Sequence, residues 1–291
     1  MKKNFNYGLA ILKTILAFYV VKTHFFNRNS TKNKIWVYFL VKNRRIHVPC
    51  FFIISFSLNY KCLISKDSKK NYKRFERLLI PYILWPIIVY SINYIFSKYN
   101  NMKIQFTLKN LITQIILGFG IIGPLWFQTD LMATIIIFLI IIYIFKRHYF
   151  FIFYFLMMIS YFIEYSKIHQ HFFFQYFKHD GSFTIVREIM MIPFAVIGFT
   201  FGAFDILNKI KSMRFQVFIF SVIIFILIDF FNVFIVLGDY NGIEINILSI
   251  CLIFTFCSLP FEKIKNIYIK SMIRYATRYT PGIYYLQNFV K

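Results

Sequence analysis

The chain has 291 residues, 59% of them apolar and 22% aromatic, with only 15% charged against roughly 25% in an average soluble domain. These proportions exclude an ordinary soluble enzyme, a disordered tail and a disulfide scaffold. The net charge of +23 invites a nucleic-acid reading, but nucleic-acid binders carry their charge as a patch on a polar domain. Here the basic residues stand between long apolar runs, the composition of a multi-pass membrane protein whose cations snorkel and favour one side.

A helix needs about 20 apolar residues to cross a hydrocarbon core of about 30 Å. On that ruler spans fall at 5–26, 46–65, 78–98, 123–145, 149–165, 185–205, 215–238 and 244–261. The first has no small-residue cleavage site after it and outruns a signal-peptide core, so it reads as a retained span. Between the third and fourth, Ile104–Ile122 is semi-polar through Lys109, Asn110 and Gln114 and reads as an interfacial or re-entrant helix. The run Pro281-Gly282-Ile283-Tyr284-Tyr285-Leu286 opens one more apolar helix that stops almost at once at Lys291, as if truncated. The expected fold is therefore an all-α integral membrane protein, a polytopic bundle of about eight to ten transmembrane helices, forming a single domain over 1–291 without internal repeats. The excess of Phe and Tyr accompanies a general enrichment in Ile, Asn and Lys and is assigned no function. Cys50, Cys62, Cys251 and Cys257 lie in or beside apolar stretches without metal-ligand spacing and read as buried thiols.

With the N-terminus inside, the inner segments (1–4, 66–77, 146–148, 206–214 and 262–281) carry eighteen Lys and Arg against eleven in the outer ones. That bias favours a cytoplasmic N-terminus. The first outer loop runs against it, holding Arg28, Lys32, Lys34, Lys42, Arg44 and Arg45.

Ionisable groups at membrane depth are costly unless paired or facing water, so each is a functional candidate. Lys13 lies in mid-span and His24 follows eleven residues later. At about 100° per residue they fall on one helix face, about 16 Å apart along the axis, with Ala17 and Val20 between them. A cation and a general base on one stripe can hold an anionic donor and activate a hydroxyl. Lys22 points the other way and snorkels. His47 and Pro49 open the second span, Pro49 suiting a first helical turn, and Ser55 reads as interhelical glue. Lys73, Arg74 and Arg77 end a basic connector. Arg74 and Arg77 share a face, either as positive-inside loop charge or as a phosphate clamp. Asp130, Glu188 and Asp229 are acids at membrane depth, and any of them could orient an imidazole or neutralise Lys13. His169 and His171 read as solvated loop residues.

These pieces, in this order, resemble the membrane-bound acyltransferase family 3, whose members have about ten spans and often O-acylate cell-surface polysaccharides. The family's Arg-x10-His element in the first span corresponds to Lys13-x10-His24. Its Phe-Phe-x-x-Ser-Gly-Phe-like element corresponds to Phe51-Phe52-Ile53-Ile54-Ser55-Phe56, with Phe56 in place of the glycine. Arg74, Arg77, Pro81 and Tyr82 fit its basic stretch, and Leu125, Trp126 and Phe127 its Leu-Trp-Phe signature. Gly282, Ile283, Tyr284 and Leu286 fit its final element, with Gln287 where histidine usually falls.

The resemblance implies acyl transfer from acetyl-CoA or another acyl-CoA as co-substrate, with no bound cofactor or metal, to a hydroxyl of a carbohydrate or lipid-linked glycan. It implies a protein of the plasma or inner membrane whose partners are that acceptor and the membrane lipids, not nucleic acid. Lys73, Arg74 and Arg77 would hold the donor's phosphates, Lys13 would steady negative charge, and His24 would be general base or transient acyl carrier. Trp126 would pack around the path. Two departures matter. Lysine at 13 lacks the guanidinium fork, and Phe56 forbids the close backbone approach a glycine permits, which leaves a catalytically impaired member as one alternative. The other is a transporter or flippase for a polysaccharide or lipid-linked sugar, although the chain shows none of the paired inverted repeats that many transporters carry.

Overall fold

A computed structural model of the chain describes residues 6–25, 46–65, 68–99, 112, 126–165, 180–231 and 243–286. These residues are almost entirely helical, with no strand among them. In chain order they form α1 (Tyr7–Phe25), α2 (His47–Leu63), α3 (Ser68–Tyr99), α4 (Trp126–Phe145), α5 (Tyr149–Tyr165), α6 (Asp180–Ala203), α7 (Ile206–Lys209), α8 (Arg214–Phe231), α9 (Ile243–Ser258) and α10 (Ile267–Leu286). Four stretches are long and apolar enough to cross a membrane by length and composition, namely Asn71–Ile92, Phe127–Ile163, Ile206–Ile228 and Ile243–Lys263, while Tyr7–Val20 and Glu188–Ala203 are shorter apolar helices.

The second of these stretches is itself two crossings. At 1.5 Å per residue an unbroken helix of that length would run about 55 Å, nearly twice the hydrocarbon core. The chain breaks at Lys146, whose φ of 43° is left-handed, in an exposed 3-10 turn of Lys146, Arg147 and His148. Phe138 of α4 then stacks on Phe153 of α5 at 4.0 Å between ring centroids, so the two helices return alongside each other as a hairpin.

Two boundaries differ from the sequence expectation. The basic stretch before the third span is not a loop, because α3 is already helical from Ser68. The segment 262–281 is largely α10, which begins at Ile267 with the Asn266 side chain accepting the backbone N–H of Tyr268 at 2.9 Å and of Ile269 at 3.3 Å. Hydropathy marks where lipid begins. Lys, Arg and Glu are good helix formers, and an asparagine cap starts a helix wherever its side chain meets free N–H groups. The expected re-entrant stretch lies outside the described residues apart from Ile112, as do His169, His171 and Gln287.

The helices pack into two compact units. One comprises Met1–Tyr60 and Pro193–Gln287, the other Lys61–Ile192 and Asn288–Lys291. In the first, α1 packs on α9 and α10, and α8 on α9. Gly8 of α1 meets the last turn of α9 so closely that a Cβ there would strike the Phe256 carbonyl. Gly198 and Gly202, one helical turn apart on α6, lie against Ile53 and against Ser57 and Tyr60 of α2. Ser55, the expected glue, is half-buried and makes no hydrogen bond among the described residues; bare backbone on α6 supplies the close approach instead. Phe56, at the family's glycine position, is buried and stacks on Phe52 with ring centroids 6.3 Å apart. Pro49 sits in the first turn of α2, and the Cys50 N–H bonds the Ile46 carbonyl at 3.1 Å. All four cysteines are free and buried.

Outward faces are apolar. On α8, Phe215, Phe220, Ile223, Ile226 and Leu227 are exposed, and on α5 Phe151, Phe155 and Phe162. Such continuous apolar surface is foreign to a protein in water and suits acyl chains. The chain is an integral membrane protein.

The α2–α6 contact gives a direct test. Gly198→Val should overpack it and cost about 1–3 kcal/mol, lowering the melting temperature of the detergent-solubilised protein, while Phe220→Leu on the outer face of α8 should leave it unchanged.

Candidate active site

In the first unit the decisive element is α1. The Asn6 side chain caps it, accepting the Leu9 N–H at 3.1 Å, and the helix runs unbroken to Phe25. The eleven-residue interval from Lys13 to His24 is therefore helical throughout. The backbone of His24 falls in the last turn; its side chain lies outside the described residues. The faces of α1 differ sharply. Ile15 and Phe18 are 47% and 60% exposed, whereas Leu9, Ala17 and Val20 are 3%, 0% and 2% exposed. Lys13 belongs by register to the buried stripe, 140° to 160° from the exposed pair at about 100° per residue. Lys13 is itself half-buried, and among the described residues it has no hydrogen-bonding or ion-pairing partner. Its ammonium thus sits on the protein-facing side of the helix with its bonding capacity unused.

The beginning of α1 is fixed by polar contacts. The Arg274 guanidinium of α10 donates to the Tyr7 hydroxyl at 2.8 Å, and both Arg274 and Lys270 lie over the Tyr7 ring, 5.7 and 5.8 Å from its centroid. The Ala10 carbonyl accepts the hydroxyls of Thr14 at 3.0 Å and Thr277 at 3.3 Å. At the same end Glu262, in the turn after α9, pairs with Lys211 at 2.6 Å and Arg214 at 2.5 Å, tying the α7–α8 connection to the α9–α10 connection.

Further along the unit, four polar side chains are buried where apolar ones would pack more simply. His47 is 6% and Cys50 0% exposed on α2; Asn246 is 4% and Ser249 0% exposed on α9. The Cys50 thiol donates to the Ser249 carbonyl at 3.8 Å. The Ser249 hydroxyl has no hydrogen-bond partner among the described residues. Sequence reading missed Asn246 and Ser249. Their signal was two small neutral polar residues one turn apart in an apolar span, which a scan for charges passes over.

In the second unit, Lys73 and Arg77 are exposed one turn apart on the opening of α3. Arg74 is on the same helical segment, but its side chain, like that of Trp126, lies outside the described residues. One turn beyond Arg77, Tyr82 is buried and its hydroxyl accepts that of Thr129 of α4 at 2.9 Å. Asp130, next to Thr129, is completely buried, and its carbonyl accepts the Thr134 hydroxyl at 2.7 Å. Glu188 is half-buried on α6, where the neighbouring Ile189 carbonyl accepts the Ser160 hydroxyl of α5 at 2.8 Å. Asp229 is on α8, with its side chain outside the described residues. Of the three candidate acids, Asp130 is the one whose complete burial is established.

The first unit thus carries a lysine on the protein-facing stripe of an apolar helix, and the second carries exposed Lys73 and Arg77 at the opening of a long span. The family described as an acyltransferase domain, of the acyltransferase 3 type, matches residues 6–290. The chain belongs to that family and is a membrane acyltransferase. No curated protein and no solved structure matches it.

An unpartnered ammonium within a membrane helix opposes folding, so its removal has a definite sign. Lys13→Met, which keeps the length and loses the charge, should stabilise the protein by about 1–2 kcal/mol, read as a melting temperature a few degrees higher. A lower melting temperature would mean that the ammonium holds the fold together.

Proposed function

We propose that the enzyme O-acylates a carbohydrate or lipid-linked glycan, taking an acetyl group from acetyl-CoA. The observation that carries this reading is the buried stripe of α1: a lysine at mid-helix without a partner among the described residues, followed on the same register by a histidine position. A cation kept at that depth has a use only if an anionic or developing-anionic group visits it.

In this mechanism His24 accepts the proton of the acceptor hydroxyl as its oxygen attacks the thioester carbonyl. Lys13 steadies negative charge carried by the donor inside the bundle, away from the reacting carbonyl. The carbon–sulfur bond then breaks, and the leaving thiolate takes the proton from the imidazolium. Lys73, Arg74 and Arg77 bind the donor's phosphates, a role supported by the exposure of Lys73 and Arg77 at the start of α3. Asp130 is the candidate for orienting a polar partner within its own unit, on the strength of its burial. The end of the first unit that carries Lys211, Arg214, Lys270 and Arg274 is proposed as the cytoplasmic one, in keeping with the bias of basic residues toward that side. That assignment puts the N-terminus inside, in a plasma or inner membrane.

The test is transfer of labelled acetyl from acetyl-CoA to extracted surface glycan, with mass spectrometry of the glycan. His24→Ala should reduce transfer by at least about 100-fold at unchanged protein level. Lys73→Ala combined with Arg77→Ala should raise the KM for acetyl-CoA several-fold with kcat little altered. Transfer at the wild-type rate in His24→Ala would remove the imidazole from the chemistry. Glycan lost from the surface but unchanged in mass in cells lacking the protein would point to transport instead.

A further inference from the structure

Around Tyr7 the first unit gathers cations from two consecutive segments. Tyr7, Ala10 and Ile273 form a buried cluster against which Phe261 and Ile264 pack, so the turn after α9 and the opening of α10 meet α1 at one level. Lys263 and Lys265 flank Ile264 in that turn and are exposed. Lys270 and Arg274, one turn apart on α10, both lie over the Tyr7 ring, so a single aromatic ring steadies the two side chains. The one carboxylate of the turn, Glu262, is taken up by Lys211 and Arg214. Lys263, Lys265 and Lys270 pair with no carboxylate among the described residues.

The other side of the same helix is apolar. Lys270, Ile273 and Thr277 turn toward α1. Tyr268, Met272 and Tyr275 recur at the spacing of one helical face and are 81%, 67% and 59% exposed. In water such a stripe is unfavourable, and in the hydrocarbon core the lysines beside it would be. One depth suits both: the headgroup layer, where tyrosines meet acyl chains with the ring and water with the hydroxyl, and lysine stems carry the ammonium up among the phosphates. The register agrees. Arg274 bonds Tyr7 and Thr277 bonds the Ala10 carbonyl, so α10 and α1 run parallel and α10 opens about 10 Å before α1 does. Its first two turns therefore precede the level at which α1 begins.

We propose that this end of the first unit is a binding site for an anionic phospholipid. Lys263, Lys265, Lys270 and Arg274 hold its phosphate, and Tyr268, Met272 and Tyr275 lie against the neighbouring acyl chains. Cations at this depth attract a headgroup of net negative charge, each adding to the attraction, whereas a zwitterionic headgroup brings a cation of its own into their midst. A phosphate dissolved in water would make use of the lysines and leave the apolar stripe beside them without a purpose; a lipid uses both. The headgroup bridges the turn after α9 and the opening of α10, two segments that pack on the same Tyr7 cluster. A lipid bound there to the folded protein therefore stabilises it. The site rests on the membrane setting of the chain and not on the acyl-CoA reading, so either can fail without the other.

The experiment uses the full-length protein in a neutral detergent, titrated with phosphatidylglycerol or with phosphatidylcholine of the same acyl chains. Retained lipid is read by native mass spectrometry, together with the melting temperature. Phosphatidylglycerol should bind at least about tenfold more tightly than phosphatidylcholine and raise the melting temperature. Lys265→Gln combined with Lys270→Gln should weaken phosphatidylglycerol binding at least about tenfold, each cation near an anionic surface being worth about fivefold. The lipid-free melting temperature should stay where it is. Arg274 is left in place because it bonds Tyr7. Lys263→Gln combined with Lys265→Gln, both in the exposed turn, should act in the same direction. Lys146→Gln combined with Arg147→Gln removes as much charge from the exposed turn between α4 and α5 and should leave the affinity within about twofold of wild type. Equal binding of the two lipids, wild-type affinity in the variants of Lys263, Lys265 and Lys270, or an equal loss in the variant of Lys146 and Arg147 overturns the site. Displacement of phosphatidylglycerol by free coenzyme A at constant ionic strength would give these cations to a soluble phosphate ligand, and overturns it as well.

Discussion

A lysine in the middle of an apolar helix must be hidden from lipid, and the first unit is organised around that requirement. The charge stands on the stripe of α1 that carries Ala17 and Val20 inward, while Ile15 and Phe18 take the outer side. Nothing in the described structure neutralises it. The beginning of the helix is instead held by contacts that do not use Lys13: the Asn6 cap, the hydrogen bond of Arg274 to Tyr7, the two hydroxyls on the Ala10 carbonyl and the backbone approach at Gly8. These contacts hold the opening of the helix and leave Lys13 without a hydrogen-bonding or ion-pairing partner among the described residues.

The same division runs through the neighbouring helices. Glycines at 198 and 202 let α6 lie on α2, and stacked Phe52 and Phe56 fill the interior where a small residue would leave space. The close backbone approach that the family's glycine would permit at position 56 has a counterpart on another helix, so Phe56 is accommodated by packing. Against this apolar background the burial of His47, Asn246 and Ser249 stands out. Polar groups in a bilayer-depth core weaken it unless they are satisfied or used.

The sequence revealed whatever depends on one helix alone. The Lys13–His24 spacing needs only the period of an α-helix, and the hairpin between α4 and α5 shows as charge between two apolar runs. The start of α3 at Ser68 and of α10 at Ile267 was hidden because apolarity reports depth in lipid, whereas basic residues and an asparagine cap begin a helix outside it. Contacts between helices were hidden for another reason. Whether Gly198 meets Ile53, or Lys270 comes to lie over the Tyr7 ring, depends on pairing and register that no single segment encodes. Ser55 is the converse case, a residue of the right type for interhelical bonding that makes no hydrogen bond among the described residues.

We propose at the centre of this account that the half-buried Lys13 faces a space that water and donor can enter, while Ile15 and Phe18 on the opposite stripe face lipid. Single cysteines placed along α1 in a background with Cys50, Cys62, Cys251 and Cys257 replaced by alanine measure this directly, by reaction with a charged, water-soluble thiol reagent. Cysteine in place of Lys13 should react and be shielded by acetyl-CoA, and cysteine in place of the lipid-facing Ile15 and Phe18 should stay unreacted. Reaction at 15 and 18 with silence at 13 would contradict the account, because the charge would then face no space that a substrate can enter.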